Sequence, residues 1–337
     1  MKAKRITRKD VAERAGVSVA VVSYVVNDGP RPVSPETRAR VEIAIDELGY
    51  YPNELARSLR SRQTSTIGLL IPRLTNPVYA EIAESLQSVC AQEGYLVLAG
   101  ASGRNQVQEE EFVRMVRAKQ VDGVVMIPSH APMELIWHLQ QAHIPVVILE
   151  HDLPGIHCID IDDLNGGLIG TNHLLDMGHR RVGLIKRKPS SANSSQRYDG
   201  YRQALEDEGI PFDCTLVVES GAGYTAGCQA MGQLLALPEP PTAVFTHNDV
   251  LAIGAMHAIH SAGLLIPENI SVVGYDNTIS SVYSCPPLTT VKFPKSQMGD
   301  LAAHTVLQLA RHEEELPART ITLPAELVVR ESTAPPP

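Results

Sequence analysis

The chain has 337 residues, 44% of them hydrophobic and 20% charged, with a net charge of −9. That length exceeds one ordinary core and predicts two or three compact units of a globular protein. No apolar run is long enough to span a bilayer, and charges fill the opening Met-Lys-Ala-Lys-Arg where a secretory segment would need apolar residues. The five cysteines are scattered without a CxxC pair, so a cytoplasmic protein with reduced thiols and no membrane partner is expected.

The charge is unevenly placed. Residues 1–65 hold 12 Lys and Arg against 8 Asp and Glu, whereas residues 66–337 hold 17 against 30. Only the first segment suits a polyanion, although so small an excess is also compatible with a basic surface that has no partner.

Thr7-Arg-Lys-Asp10 has the form of a capping box and predicts a helix start. Val11, Ala12 and Ala15 make its inner face, Gly16 supplies a left-handed turn, and Ser18 can cap a second helix running to about Asn27. Asp28-Gly-Pro-Arg-Pro breaks that helix, and Ser34-Pro35-Glu36 is a restart with a capping hydroxyl, a proline at the first helical position and an acid near the positive end of the dipole. Val41, Ala44, Ile45 and Leu48 give the third helix one apolar stripe, which Gly49 ends. Glu54–Arg60 is a helical stretch too short to be stable alone in water, and Ser61–Thr66 is linker-like.

From here the texture changes. Apolar, β-rich runs at Thr66–Ile71, Tyr95–Ala99, Gly123–Ile127, Val146–Leu149, Val182–Ile185, Thr215–Val218, Ala243–Thr246 and Ile270–Val273 alternate with helical segments. Such alternation reads as βαβ units with parallel sheets and helices on both faces, and its length predicts two sheets in two lobes. The terminal Ala-Pro-Pro-Pro is expected to be disordered.

Chemistry is not advertised. His179, Arg180 and Arg181 follow Gly178, where cations complement a helix end. His257 and His260 lack a third ligand at metal spacing, and Gly221, Gly223 and Gly227 lack dinucleotide spacing. With no P-loop and no Gly-x-Ser-x-Gly elbow either, no enzyme, no metal and no cofactor is expected.

Asp10-Val-Ala-Glu-Arg-Ala-Gly-Val-Ser-Val-Ala-Val-Val-Ser, Val33-Ser-Pro-Glu-Thr-Arg, Leu48-Gly-Tyr-Tyr-Pro-Asn and Ala56-Arg-Ser-Leu together resemble the headpiece of the lactose/galactose repressor family of bacterial regulators. Downstream, Ile67-Gly-Leu-Leu-Ile-Pro, Asn76-Pro, Gly178-His-Arg-Arg, Asn248-Asp, Val272-Val-Gly-Tyr-Asp and Leu288-Thr-Thr-Val resemble the family's receptor core in the same order. The resemblance implies an all-α helix-turn-helix headpiece over residues 1–51, a hinge helix and linker over 52–65, and an α/β receptor over 66–330 resembling type I periplasmic binding proteins. The first lobe would combine about 66–160 with 292–320, the second about 161–291 with 321–330, and 331–337 would be a disordered tail.

It also implies a homodimer that binds a pseudo-palindromic double-stranded DNA operator under the control of a small-molecule effector. The second helix would enter the major groove with Ser18, Val19, Ala20, Ser23, Tyr24 and Asn27 at or near the bases and Thr7 near the backbone. This reading face is apolar: Val19 and Ala20 offer only contacts to thymine methyls or base CH edges, and Tyr24 stands where relatives often carry Arg. The hinge would place Asn53, Ala56 and Arg57 at its start and contacts, with Leu59 as a minor-groove wedge; without the neighbouring motifs Leu59 would read as a buried residue of a short helix.

Ligands of open α/β sheets sit beyond the carboxyl ends of the strands, and the loops there hold Thr75, Tyr79, Ser129, Glu150, Arg197, Tyr224, Asn248 and Asp276. Carboxylates, amides and a guanidinium suit vicinal hydroxyls, and an aromatic ring can cover an apolar sugar face, so a saccharide or polyol is the first expectation and a purine the second. The same residues have plainer uses, Asp276 and Asn248 as caps and Tyr79 in packing. A corepressor-dependent or activating regulator and, from another class, a sugar-binding protein or sugar-processing enzyme are the alternatives.

Overall fold

The computed structural model describes residues 6–26, 31–51, 63–128, 133–188, 192–311 and 317–337. The chain divides into two compact units between Thr64 and Ser65.

The first unit holds α1 (Arg8–Ala15), α2 (Val19–Val26) and α3 (Pro35–Leu48). The Thr7 N–H donates to Asp10 Oδ2 at 2.8 Å, which starts α1 as the capping box requires. Gly16, at φ 64°, ends it in the left-handed region and sends its N–H back to Ala12 and Glu13. Ser18 Oγ accepts from the Val21 N–H at 3.3 Å, and Ser34 Oγ from the Thr37 N–H at 3.3 Å, so both later helices begin on a side-chain cap. Val11, Val22 and Val41, one from each helix, are wholly buried together. At about 1.5–3 kcal/mol for each fully buried valine, they are the main tie in so small a core.

The second unit contains two six-stranded sheets. The first runs in the order β11 (Thr320–Leu323), β5 (His157–Ile161), β4 (Val146–Leu149), β3 (Gly123–Met126), β1 (Thr66–Ile71), β2 (Leu96–Ala101), every neighbouring pair parallel. The second runs β12 (Glu326–Val328), β10 (Thr289–Lys292), β9 (Ser271–Tyr275), β8 (Ala243–Thr246), β6 (Val182–Arg187), β7 (Val217–Ser220), with only the β10–β12 pair antiparallel. All four residues of β3, β4 and β8 are buried, as parallel strands covered on both faces must be.

The helices that cover these sheets are α4 (Pro77–Gln92), α5 (Gln106–Lys119), α6 (Met133–Gln141), α7 (Asp163–Asp176), α8 (Ala192–Asp207), α9 (Tyr224–Leu235), α10 (Asp249–Ser261), the short α11 (Ile279–Val282) and α12 (Lys295–Arg311). The chain passes from one sheet to the other after β5, after β10 and between β11 and β12. The last two crossings fall slightly later than the sequence suggests, because Lys292 still pairs in the second sheet and β11 stays in register with β5 through Leu323.

Two helix pairs meet through glycines. A side chain at Gly167 of α7 would strike the Arg197 backbone on α8, and one at Gly200 would strike the Leu164 carbonyl. Gly227 on α9 and Gly254 on α10 face Leu251 and Tyr224 in the same manner. The α7–α8 contact brings the Arg197 side chain directly over Asp163 at the start of α7.

The C-terminal segment is ordered, contrary to the expectation from its proline content. The Glu331 N–H donates to the Pro287 carbonyl, the Ser332 carbonyl accepts from Val272, the Ala334 N–H reaches Ser271 Oγ, and the Ala334 carbonyl lies 2.9 Å from His179 Nε2. Backbone groups that composition would leave to solvent are here paired with β9 and with the Pro287 carbonyl, and Ser332 is fully buried. Among the described residues no helix is long and apolar enough to cross a membrane.

Candidate DNA interface and effector cleft

At the head of α2, Ser18, Val19 and Ala20 are exposed, while Ser23 and Tyr24, one turn on, are half-buried. Val22 and Val25 face the core and Val17 packs against it. The helix therefore offers its N-terminal end, the end whose side chains reach base edges when a helix enters a major groove. Thr7 is exposed at the start of α1. Asn27, Asn53, Ala56, Arg57 and Leu59 lie outside the described residues, as does Ser129 of the receptor.

In the receptor, a narrow cleft is lined by Asn76, Val78, Tyr79, Arg104 and Glu150 from the first lobe and by Arg187, Asn193, Arg197, His247, Asn248 and Asp276 from the second. All but Val78 carry a polar or charged side chain. Glu150, His247 and Asp276 come directly after β4, β8 and β9, Arg187 closes β6, and Arg104 follows β2, so the lining is drawn from the carboxyl ends of both sheets. Arg104, Glu150 and Asp276 have positive φ angles of 62°, 61° and 103°, a costly conformation for side-chain-bearing residues that collects at functional sites.

Arg197 is the fixed point of the second lobe's wall. Its Nε donates to Asp163 Oδ1 at 2.7 Å, its Nη1 donates to the His247 carbonyl at 2.7 Å, and its guanidinium lies 3.5 Å from the centre of the Tyr275 ring. Burial by itself would lower the Arg197 guanidinium, but Asp163, Tyr275 and Asp276 outweigh it and hold the group above its ordinary value, permanently charged. Tyr275 Oη in turn donates to Asp163 Oδ1 at 2.6 Å. Asp276 is pushed well above the usual carboxylate range by burial, against the pull of Arg197.

Across the cleft, Glu150 accepts from Asn193 Nδ2 at 3.2 Å and from Tyr79 Oη at 3.5 Å, and burial raises its carboxyl against the pull of Arg104 and Arg197. Arg104 Nη2 donates to Tyr79 Oη at 3.1 Å. Burial, helped by Arg197 and Arg187, holds His247 well below the ordinary histidine value, so its ring is neutral near pH 7.

Five of the expected effector residues, Tyr79, Glu150, Arg197, Asn248 and Asp276, thus meet in one cleft. Asn248 also caps α10, its Oδ1 accepting from the Leu251 N–H at 3.0 Å. Thr75 and Tyr224 do not join them. Thr75 is exposed, with the neighbouring Asn76 at the cleft instead. Tyr224, the first residue of α9, is half exposed and lines a separate surface groove with Ile253, Ile279 and Tyr283, because the α9–α10 glycine contact seats it against Gly254.

Arg104, Arg187, Asn193 and His247 are cleft residues that the sequence reading misses. Arg187 and His247 carry a signal, each lying at or just past the last residue of a strand; Arg104 and Asn193 carry none.

Comparison with known proteins decides what these two surfaces belong to. Residues 7–53 match the family described as bacterial regulatory proteins, lacI family, and residues 171–333 match the periplasmic binding protein-like domain. The HTH-type transcriptional repressor CytR of Escherichia coli (strain K12) is 35% identical, over 99% of this chain and 99% of its own length. The chain belongs to the lacI family.

The HTH-type transcriptional regulator DegA of Bacillus subtilis (strain 168) is 34% identical over 98% of this chain and 99% of its own. Among solved structures, a lac repressor dimer bound to operator and the anti-inducer ONPF superimposes with a TM-score of 0.87 at 32% identity, covering 98% of this chain and 100% of that one. As a lacI-family member with this headpiece and receptor, the protein is a DNA-binding transcriptional regulator of the repressor type. Its relatives are regulators rather than enzymes.

Proposed function

We propose that the protein acts as a homodimer on a pseudo-palindromic operator and that a saccharide or polyol in the interlobe cleft sets its operator affinity. The observation that carries the effector assignment is the lining of the cleft: ten polar or charged side chains drawn from both lobes and a single aliphatic one. A ligand held by both lobes favours whichever arrangement lets both sets of groups reach it, and it shifts that equilibrium by its differential affinity. Carboxylate, amide and guanidinium groups match vicinal hydroxyls. Tyr79 is the one aromatic carbocycle in the lining, and its hydroxyl is engaged with Glu150 and Arg104, which favours a sugar over a stacked base.

Two further observations support the dimer and its DNA contact. Ile279 and Tyr283 are 62% and 81% exposed and adjoin Tyr224 and Ile253, an apolar surface of the kind a second copy covers, and the lac repressor relative is described as a dimer on operator. One recognition helix covers only a few base pairs, so two headpieces and a two-fold site follow. On this reading Asn53, Ala56, Arg57 and Leu59 form the hinge at the minor groove.

A thermal-shift screen of the full chain against sugars and purines tests the effector assignment, because a ligand of the folded receptor raises its apparent stability. A sugar that raises the melting temperature and alters operator affinity is the expected result. A response confined to purines would overturn it.

A further inference from the structure

Three guanidinium groups, Arg104, Arg187 and Arg197, stand with three carboxylates, Glu150, Asp163 and Asp276, around the cleft, but Arg104 and Arg187 feel Glu150 without pairing with it. Asp163 and Asp276 both face Arg197, at 2.7 and 3.8 Å, and Glu150 is engaged by Asn193 and Tyr79. Arg104 and Arg187 form no ion pair with a carboxylate among the described residues. Each has a buried Nε without a hydrogen-bond partner, although Arg187 is only 8% exposed. Burial, and then the neighbouring Arg104, pushes the Arg187 guanidinium down to about 10. Two such neighbouring guanidinium groups repel each other, and an anionic group reaching both would relieve that repulsion.

A neutral polyol would leave this end of the cleft as it is. A carboxylate or phosphate would meet two guanidinium forks, the pairing in which arginine gives its strongest and most directional hydrogen bonds. We infer that the effector is an acidic monosaccharide, a sugar acid or sugar phosphate, whose anionic group binds between Arg104 and Arg187 while its hydroxyls face Glu150, Asn248 and Asp276. This rests on the saccharide reading above and narrows it.

The test is calorimetric titration of the full chain with D-glucuronate, D-galacturonate, glucose 6-phosphate and ribose 5-phosphate, each beside its neutral parent sugar. At least one acid should bind about tenfold or more tightly than its parent, and the pair showing this separates carboxylate from phosphate. Arg187→Met should abolish that preference, and Arg187→Lys should keep part of it. Arg104→Met, at a half-buried loop position, gives the same reading if the Arg187 variants do not fold. Equal affinity for acid and parent, or an acid preference unchanged in Arg187→Met and Arg104→Met, would overturn the anionic subsite while the saccharide reading stood. Binding of a purine and of no sugar would overturn both, and failure of all four acids at millimolar concentration would overturn the inference.

Discussion

Asp276 Oδ1 stands 3.8 Å from Nη1 of Arg197, within ion-pairing reach but beyond hydrogen-bonding distance. Arg197 has already committed Nη1 to the His247 carbonyl and Nε to Asp163, so Asp276 is oriented by a charge it does not fully engage. Its carboxyl faces the cleft, where it can exchange a hydrogen bond with a ligand hydroxyl. Asp276→Asn is expected to weaken effector binding by about tenfold or more. The change in operator affinity on effector addition should shrink with it, since coupling between the sites is reciprocal. Calorimetry showing parental effector affinity in the variant would remove Asp276 from the site.

The glycine at 167 is required by backbone approach, whereas a β-carbon at Gly232 in α9 would meet nothing within 4 Å. Gly167→Ala should therefore destabilise the receptor by about 1–3 kcal/mol through overpacking against the Arg197 backbone. Gly232→Ala should stabilise it by about 0.4–1 kcal/mol by restricting the unfolded chain. Denaturant unfolding measures both, and shifts of the same sign would contradict the packing account.

Asp249 is buried, with Oδ1 accepting from Thr290 Oγ1 and Oδ2 from the Thr278 N–H, yet burial raises its carboxyl to about 6. An unfolded Asp releases its proton near 3.9. Between those pH values the folded state binds more protons than the unfolded chain, so this contribution is complete below about pH 4 and is lost as pH rises through about 6. Asp249→Asn removes it. The stability of the variant relative to the parent should rise between pH 4 and pH 7, by at most about 3 kcal/mol. A difference independent of pH would show that folding does not raise the Asp249 carboxyl.

The headpiece is legible in its sequence because its determinants are local. The Thr7–Asp10 box, Gly16 and Ser34 act within one turn of themselves, and each does so in the structure. Most of the receptor's strands are legible as apolar runs. The four that are not, β5, β10, β11 and β12, carry Asp160, Lys292, Thr322 and Glu326 within them, so polar residues break the apolar run and the strands are defined by pairing with neighbours. The tail is misread for the same reason, its partners being Ser271, Val272 and Pro287 far back in the chain. At the cleft, family motifs locate Arg197, Asn248 and Asp276. Tyr224 is misread because the close approach of α9 to α10 at Gly254, which no local pattern announces, decides whether the ring faces the cleft or the outer groove.

Tyr24, half-buried on α2, is the position where added charge should change what is read. Tyr24→Arg is expected to raise general DNA affinity and to move preference toward guanine at one symmetric position of each half-site, by about 1–3 kcal/mol if a bidentate pair forms. Identical site preferences for parent and variant at one salt concentration would show that residue 24 does not face the bases.

The central claim, a dimeric regulator reading a two-fold operator, is tested most directly by selecting binding sites from randomised duplexes with the full chain at one fixed salt concentration. The account predicts pseudo-palindromic sites whose two half-sites hold a constant separation, with thymine methyls favoured opposite Val19 and Ala20. Asymmetric sites, or half-sites at no fixed spacing, would contradict it.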